Sequence, residues 1–167
     1  FPKFFHPDPT VKRQSGFLMP RFESSNTIGT SFHLPYYNVI SNNKDFTVTP
    51  RFYKNEKLLV QTEYRSINPE TSNFIDFSFF TKKSTSGDVE SHFFSKTSRK
   101  LNFNNFDEST LNFELQQASN DTYLKTYKVK SPIIKDTNLL SSFFEVSAYR
   151  DDLSFDTNFQ VYENLSV

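Results

Sequence analysis

The sequence predicts an all-β protein, an antiparallel meander of about nine or ten strands. Three observations predict it. The chain carries 21 Phe and 8 Tyr, yet its mean hydropathy is −0.60, so apolar and polar side chains must interleave. Apolar residues recur at every second position, not at the three- and four-residue spacing of a helix. Between these runs sit clusters such as "SSNTIG", "SNNKD", "NPETS", "STSGD" and "RDD", whose Asn, Asp, Ser and Gly supply tight-turn geometry.

The first segment, "TVKRQSGFLMP" (Thr10–Pro20), is an apolar strand that runs into Pro20. The second, "SFHLPYYNVI" (Ser31–Ile40), has Pro35 in its middle, and the third, "DFTVTPRFY" (Asp45–Tyr53), has Pro50. Proline has no N–H for a sheet ladder and is confined to edges, bulges or strand starts. Three successive strands that break this rule call for a physical reason. From Asp45 onward the alternation is regular. Phe46, Val48, Pro50 and Phe52 share one face, and Asp45, Thr47, Thr49, Arg51 and Tyr53 the other. Leu58, Val60, Thr62 and Tyr64 oppose Leu59, Gln61, Glu63 and Arg65. Ile75, Phe77 and Phe79 oppose Asp76 and Ser78, and Leu111, Phe113 and Leu115 oppose Asn112, Glu114 and Gln116. Leu153, Phe155, Thr157, Phe159 and Val161 oppose Asp156, Asn158, Gln160 and Tyr162. Val89–Leu101 and Tyr123–Val129 are strand-like with less regular patterning, and Lys130–Leu140 is the longest irregular connection. No helix, repeat or low-complexity tract is expected.

An alternating sheet has two homes. In a soluble sandwich the apolar faces meet in a core. In an outer-membrane barrel they face lipid and the polar faces line a lumen. Asp45, Arg51, Glu63 and Arg65, with Asp76, Glu114 and Asp156, are charges suited to a wet, lumen-facing wall. A soluble sheet could expose the same face to bulk water, so periodicity alone leaves both open. Composition narrows the rest. With 19 basic and 19 acidic side chains, no net charge steers the chain to nucleic acid. It has no Cys, and His6, His33 and His92 have no metal-ligand spacing, so neither disulfide nor metal site is expected. Asp107–Glu108 and Asp151–Asp152 read as turn residues. No nucleophile elbow, Ser-His-Asp constellation or glycine-rich loop stands out among only 3 Gly, so neither enzyme nor cofactor is expected. The chain opens at Phe1 without an initiator Met, which reads as a piece of something longer.

The segments "FFHPDPTVKRQSGFLMP", "GTSFHLPYYNVISNNKDFTVTPRFY" and "LLVQTEYR" resemble, in order, the lipopolysaccharide-assembly outer-membrane protein family (LptD, also OstA or Imp). The resemblance rests on a basic pair before "SGFL.P", then "PYY", an Asn turn, "D.T.TP", and a strand ending in Glu-Tyr-Arg. It is strong over Phe4–Arg65; "GDVESHFFSK" and "NDTYLKTY" agree more loosely.

The resemblance implies that residues 1–14 end a periplasmic jellyroll and linker, and that 15–167 form the first strands of an incomplete barrel in the Gram-negative outer membrane. It implies lipopolysaccharide as cargo, inserted into the outer leaflet through a lateral gate between first and last barrel strands. Pro20 and Pro35 would weaken that gate, with Phe17, Leu18, Met19 and Leu34 as neighbours. Lys12 and Arg13 would either meet lipid A phosphates or be ordinary interfacial cations. The implied partners are an LptE-like lipoprotein plug and a periplasmic bridge protein docking on the upstream jellyroll. Another outer-membrane barrel, a porin or receptor, and a soluble β-sandwich binding module stand as alternatives.

Overall fold

The computed structural model describes residues 13–25, 27–54, 57–81 and 90–166, so His6, Lys12 and most of the expected 1–14 linker lie outside the described residues. The elements are β1 (Gly16–Phe17), β2 (Arg21–Ser25), β3 (Gly29–His33), β4 (Tyr36–Ser41), β5 (Lys44–Tyr53), β6 (Lys57–Ile67), β7 (Thr71–Thr81), β8 (Glu90–Leu101), β9 (Glu108–Ala118), α1 (Tyr123–Thr126), β10 (Leu139–Arg150) and β11 (Leu153–Asn164). All eleven strands belong to one antiparallel sheet in which β5 to β11 pair in chain order. The expected meander is present.

At one edge the sheet is interrupted. β1 pairs β4 and β2 pairs β3, so β1 and β2 are two halves of one passage, broken at Leu18–Pro20. β4 and β3 both pair β5 and are halves of a second passage, broken at Leu34–Pro35. Eleven strands therefore make nine crossings of the sheet. Three residues separate Phe17 from Arg21, whereas two separate the facing His33 and Tyr36. The extra residue is a β-bulge, which changes which side chains face which way. Phe17 and Phe22 would otherwise point to opposite faces. Instead both lie with the aromatic row: Phe17 meets Tyr36 at 5.1 Å between centroids, and Phe22 meets Phe32 at 5.0 Å.

The two faces differ in chemistry. One, here the outer face, carries Phe46, Val48, Phe52, Ile75, Phe77, Phe79, Leu111, Phe113, Phe155 and Phe159; Phe52, Phe79, Phe155 and Phe159 are exposed. The opposite, inner face carries Asp45, Thr47, Arg51, Gln61, Asp76, Ser78, His92, Glu114 and Gln116, all buried. The burial order is that of a soluble protein turned inside out. Among the described residues no second sheet packs on the aromatic face, so the two-layer sandwich is absent.

The inner face is covered by the chain between β9 and β10. Tyr123–Val129, expected as a strand, is a single helical turn (α1) followed by irregular chain. Its apolar residues sit at helical spacing: Tyr123, Leu124 and Tyr127 are buried together with Val129 and Ile133 against Tyr53, Leu59, Phe80 and Phe94. Tyr, Thr and Val favour strands locally, but burial against the sheet decides in favour of the helical turn. The connections also differ by end. β4–β5, β6–β7 and β10–β11 are joined by two- or three-residue turns at one end, whereas the β9–β10 connection runs from 119 to 138 at the other.

Candidate functional site

The proline-broken edge is built from half-made hydrogen-bond pairs. In an antiparallel ladder, two facing residues of a bonded pair exchange both N–H···O bonds. Leu18 faces Pro35 and donates its N–H to the Pro35 carbonyl at 2.9 Å. Pro35 has nothing to return. Leu34 faces Pro50 and donates to its carbonyl at 3.1 Å, and again the reciprocal bond cannot form. Pro20 occupies the bulge itself. The three prolines thus lie in one row across the first three passages, each at a point where a ladder bond is missing. Pro35 is buried, while Pro20, Phe17, Leu18 and Met19 are exposed, Met19 to 85%. Leu34 is half-buried between the two breaks.

Arg13 stands just before β1. Its guanidinium donates to the Asp45 carboxylate and to the Tyr37 hydroxyl, and lies 5.7 Å from the Tyr37 ring centroid. The Asp45 bond raises the Arg13 guanidinium above its ordinary value. Arg65 approaches Asp45 from the other side, with Nε donating at 2.6 Å and Nη2 to Thr47 Oγ1 at 2.9 Å. Arg65 also pairs with Glu63 at 3.6 Å. Asp45, Arg51, Glu63 and Arg65 all share the inner face, as their alternation requires.

A second constellation was not legible from the sequence. Arg51 Nη1 donates to the Tyr127 carbonyl at 3.0 Å, and Nη2 to Gln61 Oε1. Gln61 Nε2 donates to Asp76 at 3.0 Å and to the Lys130 carbonyl at 3.1 Å. Asp76 faces His92 Nε2 at 3.2 Å, His92 Nδ1 bonds Ser78 Oγ at 2.6 Å, and Ser78 Oγ also bonds the Tyr123 hydroxyl at 2.6 Å. Residues from β5 to β8 meet here with the β9–β10 connection. Alternation placed them on one face, but their meeting depends on strand register and on where the connection docks.

Ser78, His92 and Asp76 form a serine–histidine–carboxylate relay. Its surroundings are not those of a hydrolase. The three residues are 1%, 3% and 0% exposed, Tyr123 covers the serine oxygen, and none of the described cavities is lined by Ser78. A nucleophile needs space for a carbonyl and donors for its oxyanion. The relay instead ties the connection to the wall. Burial pushes the Tyr123 phenol up to about 12, and the Tyr127 phenol is raised by burial and by its hydrogen bond to Glu90.

Among the described residues, a single antiparallel meander with an apolar outer face, a polar buried inner face and a long connection folded against the wall fits a fragment of a β-barrel. No protein-family model matches the chain. It is similar to the LPS-assembly protein LptD of Chromobacterium violaceum, 31% identical over 127 residues, 76% of this chain and 16% of that protein. It is also similar to LptD of Shewanella oneidensis, 29% identical over 163 residues covering 94% of this chain, and of Legionella pneumophila, 30% identical over 143 residues. The chain is LptD-like in sequence, and it spans only 15–18% of the length of the curated relatives quoted or first matched.

Proposed function

We propose that this chain is the N-terminal part of an outer-membrane translocon barrel that inserts lipopolysaccharide into the outer leaflet of a Gram-negative bacterium. The observation that carries the reading is the inverted polarity of the sheet. An aromatic face left open to the surroundings is costly in water and favourable in lipid. The similarity to LPS-assembly proteins supplies the substrate. In this reading the inner face, with Asp45, Arg51, Glu63 and Arg65, lines the lumen, and residues 15–167 are the first strands of a larger barrel. An LptE-like lipoprotein plug and a periplasmic bridge protein are the partners that follow from it.

The lateral gate in this reading lies at β1 and β2, whose free side would meet the last strand of the longer protein. Pro20 and Pro35 weaken the ladder of this passage, with Leu18 held by one bond where two are usual. Each missing bond is worth about 0.5–1.5 kcal/mol, little beside a whole barrel but enough to select where it parts. Arg13 stands at the rim where lipid A phosphates would arrive, presenting its guanidinium between Asp45 and Tyr37, and Lys12, the other expected contact, lies outside the described residues. The test is the double variant Pro20→Ala/Pro35→Ala in the full-length protein, read as surface lipopolysaccharide. Reduced delivery with normal barrel assembly is expected; normal delivery overturns the gate.

A further inference from the structure

We propose that the inner face holds a binding site for a phosphate monoester, between β2, β3, β5, β6 and the β9–β10 connection. A cavity of about 290 Å³ opens there, at the small end of the ~300–1,000 Å³ of small-molecule sites. Four cations line it, Arg21, Arg51, Lys128 and Lys130, against two carboxylates, Glu23 and Glu63. Both carboxylates already have cationic or ionisable neighbours: His33 stands 3.8 Å from Glu23, and Arg65 stands 3.6 Å from Glu63. Lys128 donates to the Ser24 carbonyl at 3.0 Å, which holds the connection over the mouth of the cavity.

The second observation is an orphaned donor. Arg51 is 6% exposed, and its Nε is the one buried side-chain nitrogen or oxygen among the described residues with no hydrogen-bond partner. Its two terminal nitrogens are engaged by Tyr127 and Gln61. A buried guanidinium N–H without an acceptor leaves the Arg51 charge only partly compensated, which raises the positive potential at the cavity. Arg21 and Lys130 have no side-chain ion pair or hydrogen bond among the described residues, and both are solvent-accessible at the cavity rim. The excess of two positive charges matches a phosphate monoester, which carries about −1.5 to −2 at neutral pH, better than a carboxylate. The site does not depend on the transport reading, since a barrel of any function could hold it.

The test is calorimetric titration of the full-length protein in detergent micelles with glycerol 3-phosphate, inorganic phosphate, glucuronate and glycerol. Both phosphates are expected to bind, glucuronate more weakly, and glycerol not at all. The Arg21→Ala/Lys130→Ala variant removes two exposed, unpaired side chains and should still fold, as checked by heat-modifiable gel migration. It is expected to weaken phosphate binding by at least about tenfold, the scale of one charge-assisted hydrogen bond. Arg51→Gln, which keeps volume and polarity, is expected to weaken it as well. Absence of phosphate binding, binding unchanged in the double variant, or glucuronate binding more tightly than phosphate would each overturn the assignment.

Discussion

At the scale of single residues, the face a side chain occupies outweighs its own chemistry. Phe77 lies in the middle of the outer row and Asn158 on the inner face of β11. Phe77→Arg is expected to destabilise the protein by about 2–4 kcal/mol in a bilayer, where a charge meets hydrocarbon. Asn158→Arg should change stability by less than about 1 kcal/mol, because that side chain stays in a polar setting. Denaturant titration of the two variants in lipid vesicles separates them, and equal costs would refute the inside-out assignment. Tyr123 gives a second residue-scale test. Its phenol is held at about 12 by burial, above the ordinary value near 10. The docked connection therefore has its full stability below pH 10, where both docked and undocked tyrosine are protonated. That stability falls as pH rises through about 12, because the undocked phenol ionises first. Difference absorbance titration of wild type against Tyr123→Phe should show a tyrosine ionising late. A Tyr123 that titrates with the exposed tyrosines would mean the connection is not docked.

At the scale of elements, Pro20 matters for residue count as well as for its missing donor. The bulge absorbs the odd residue, which keeps Phe17 and Phe22 on one face and lets Arg21 and Glu23 face inward. Deleting Pro20 would leave two residues between Phe17 and Arg21, as between His33 and Tyr36, and so restore a regular ladder with Phe17 and Phe22 still on one face. Deleting Met19 and Pro20 together would turn one half of the passage over, since a one-residue slip exchanges the two faces. The double deletion is expected to abolish the heat-modifiable folded band, whereas Pro20→Ala and the single deletion of Pro20, which keep both halves on their faces, should preserve it. A folded double-deletion variant would show that the facing of the two halves does not set the register. The same passage shows what was legible beforehand. The prolines marked the two interrupted passages directly, and Pro50 marked a missing donor in the unbroken β5. That two of them sit opposite leucines which donate to them, and that Pro20 stands in a bulge, depended on pairing between residues about fifteen positions apart, which no local pattern reports.

At the scale of the molecule, the turns separate the two ends of the sheet. Outer-membrane barrels have short periplasmic turns and longer extracellular loops. The described turns at 42–43, 68–70 and 151–152 share one end with Arg13, and the 119–138 connection lies at the other. A cysteine at the exposed Asp136 in an otherwise cysteine-free background is expected to react with a membrane-impermeant maleimide on intact cells. One at Asp152 should react only after the outer membrane is opened. The reverse pattern would invert the topology. The end that carries the long connection is also the end where Lys125 Nζ reaches the Leu165 carbonyl at 3.0 Å, so the connection is braced at both sides of the sheet.

By itself the sequence determined the all-β meander, the composition of each face and the positions of the three missing ladder donors. Those properties are local: the pleat repeats every two residues, and proline lacks a donor wherever it stands. Only the tertiary structure decided that the polar face is the buried one, that Tyr123–Val129 forms a helical turn on it, and that Arg51, Asp76, Ser78 and His92 meet there. Which side of an alternating sheet is shielded depends on what the rest of the chain lays against it. That contact joins residues up to 104 positions apart, as between Ser24 and Lys128, and so is invisible to any short window.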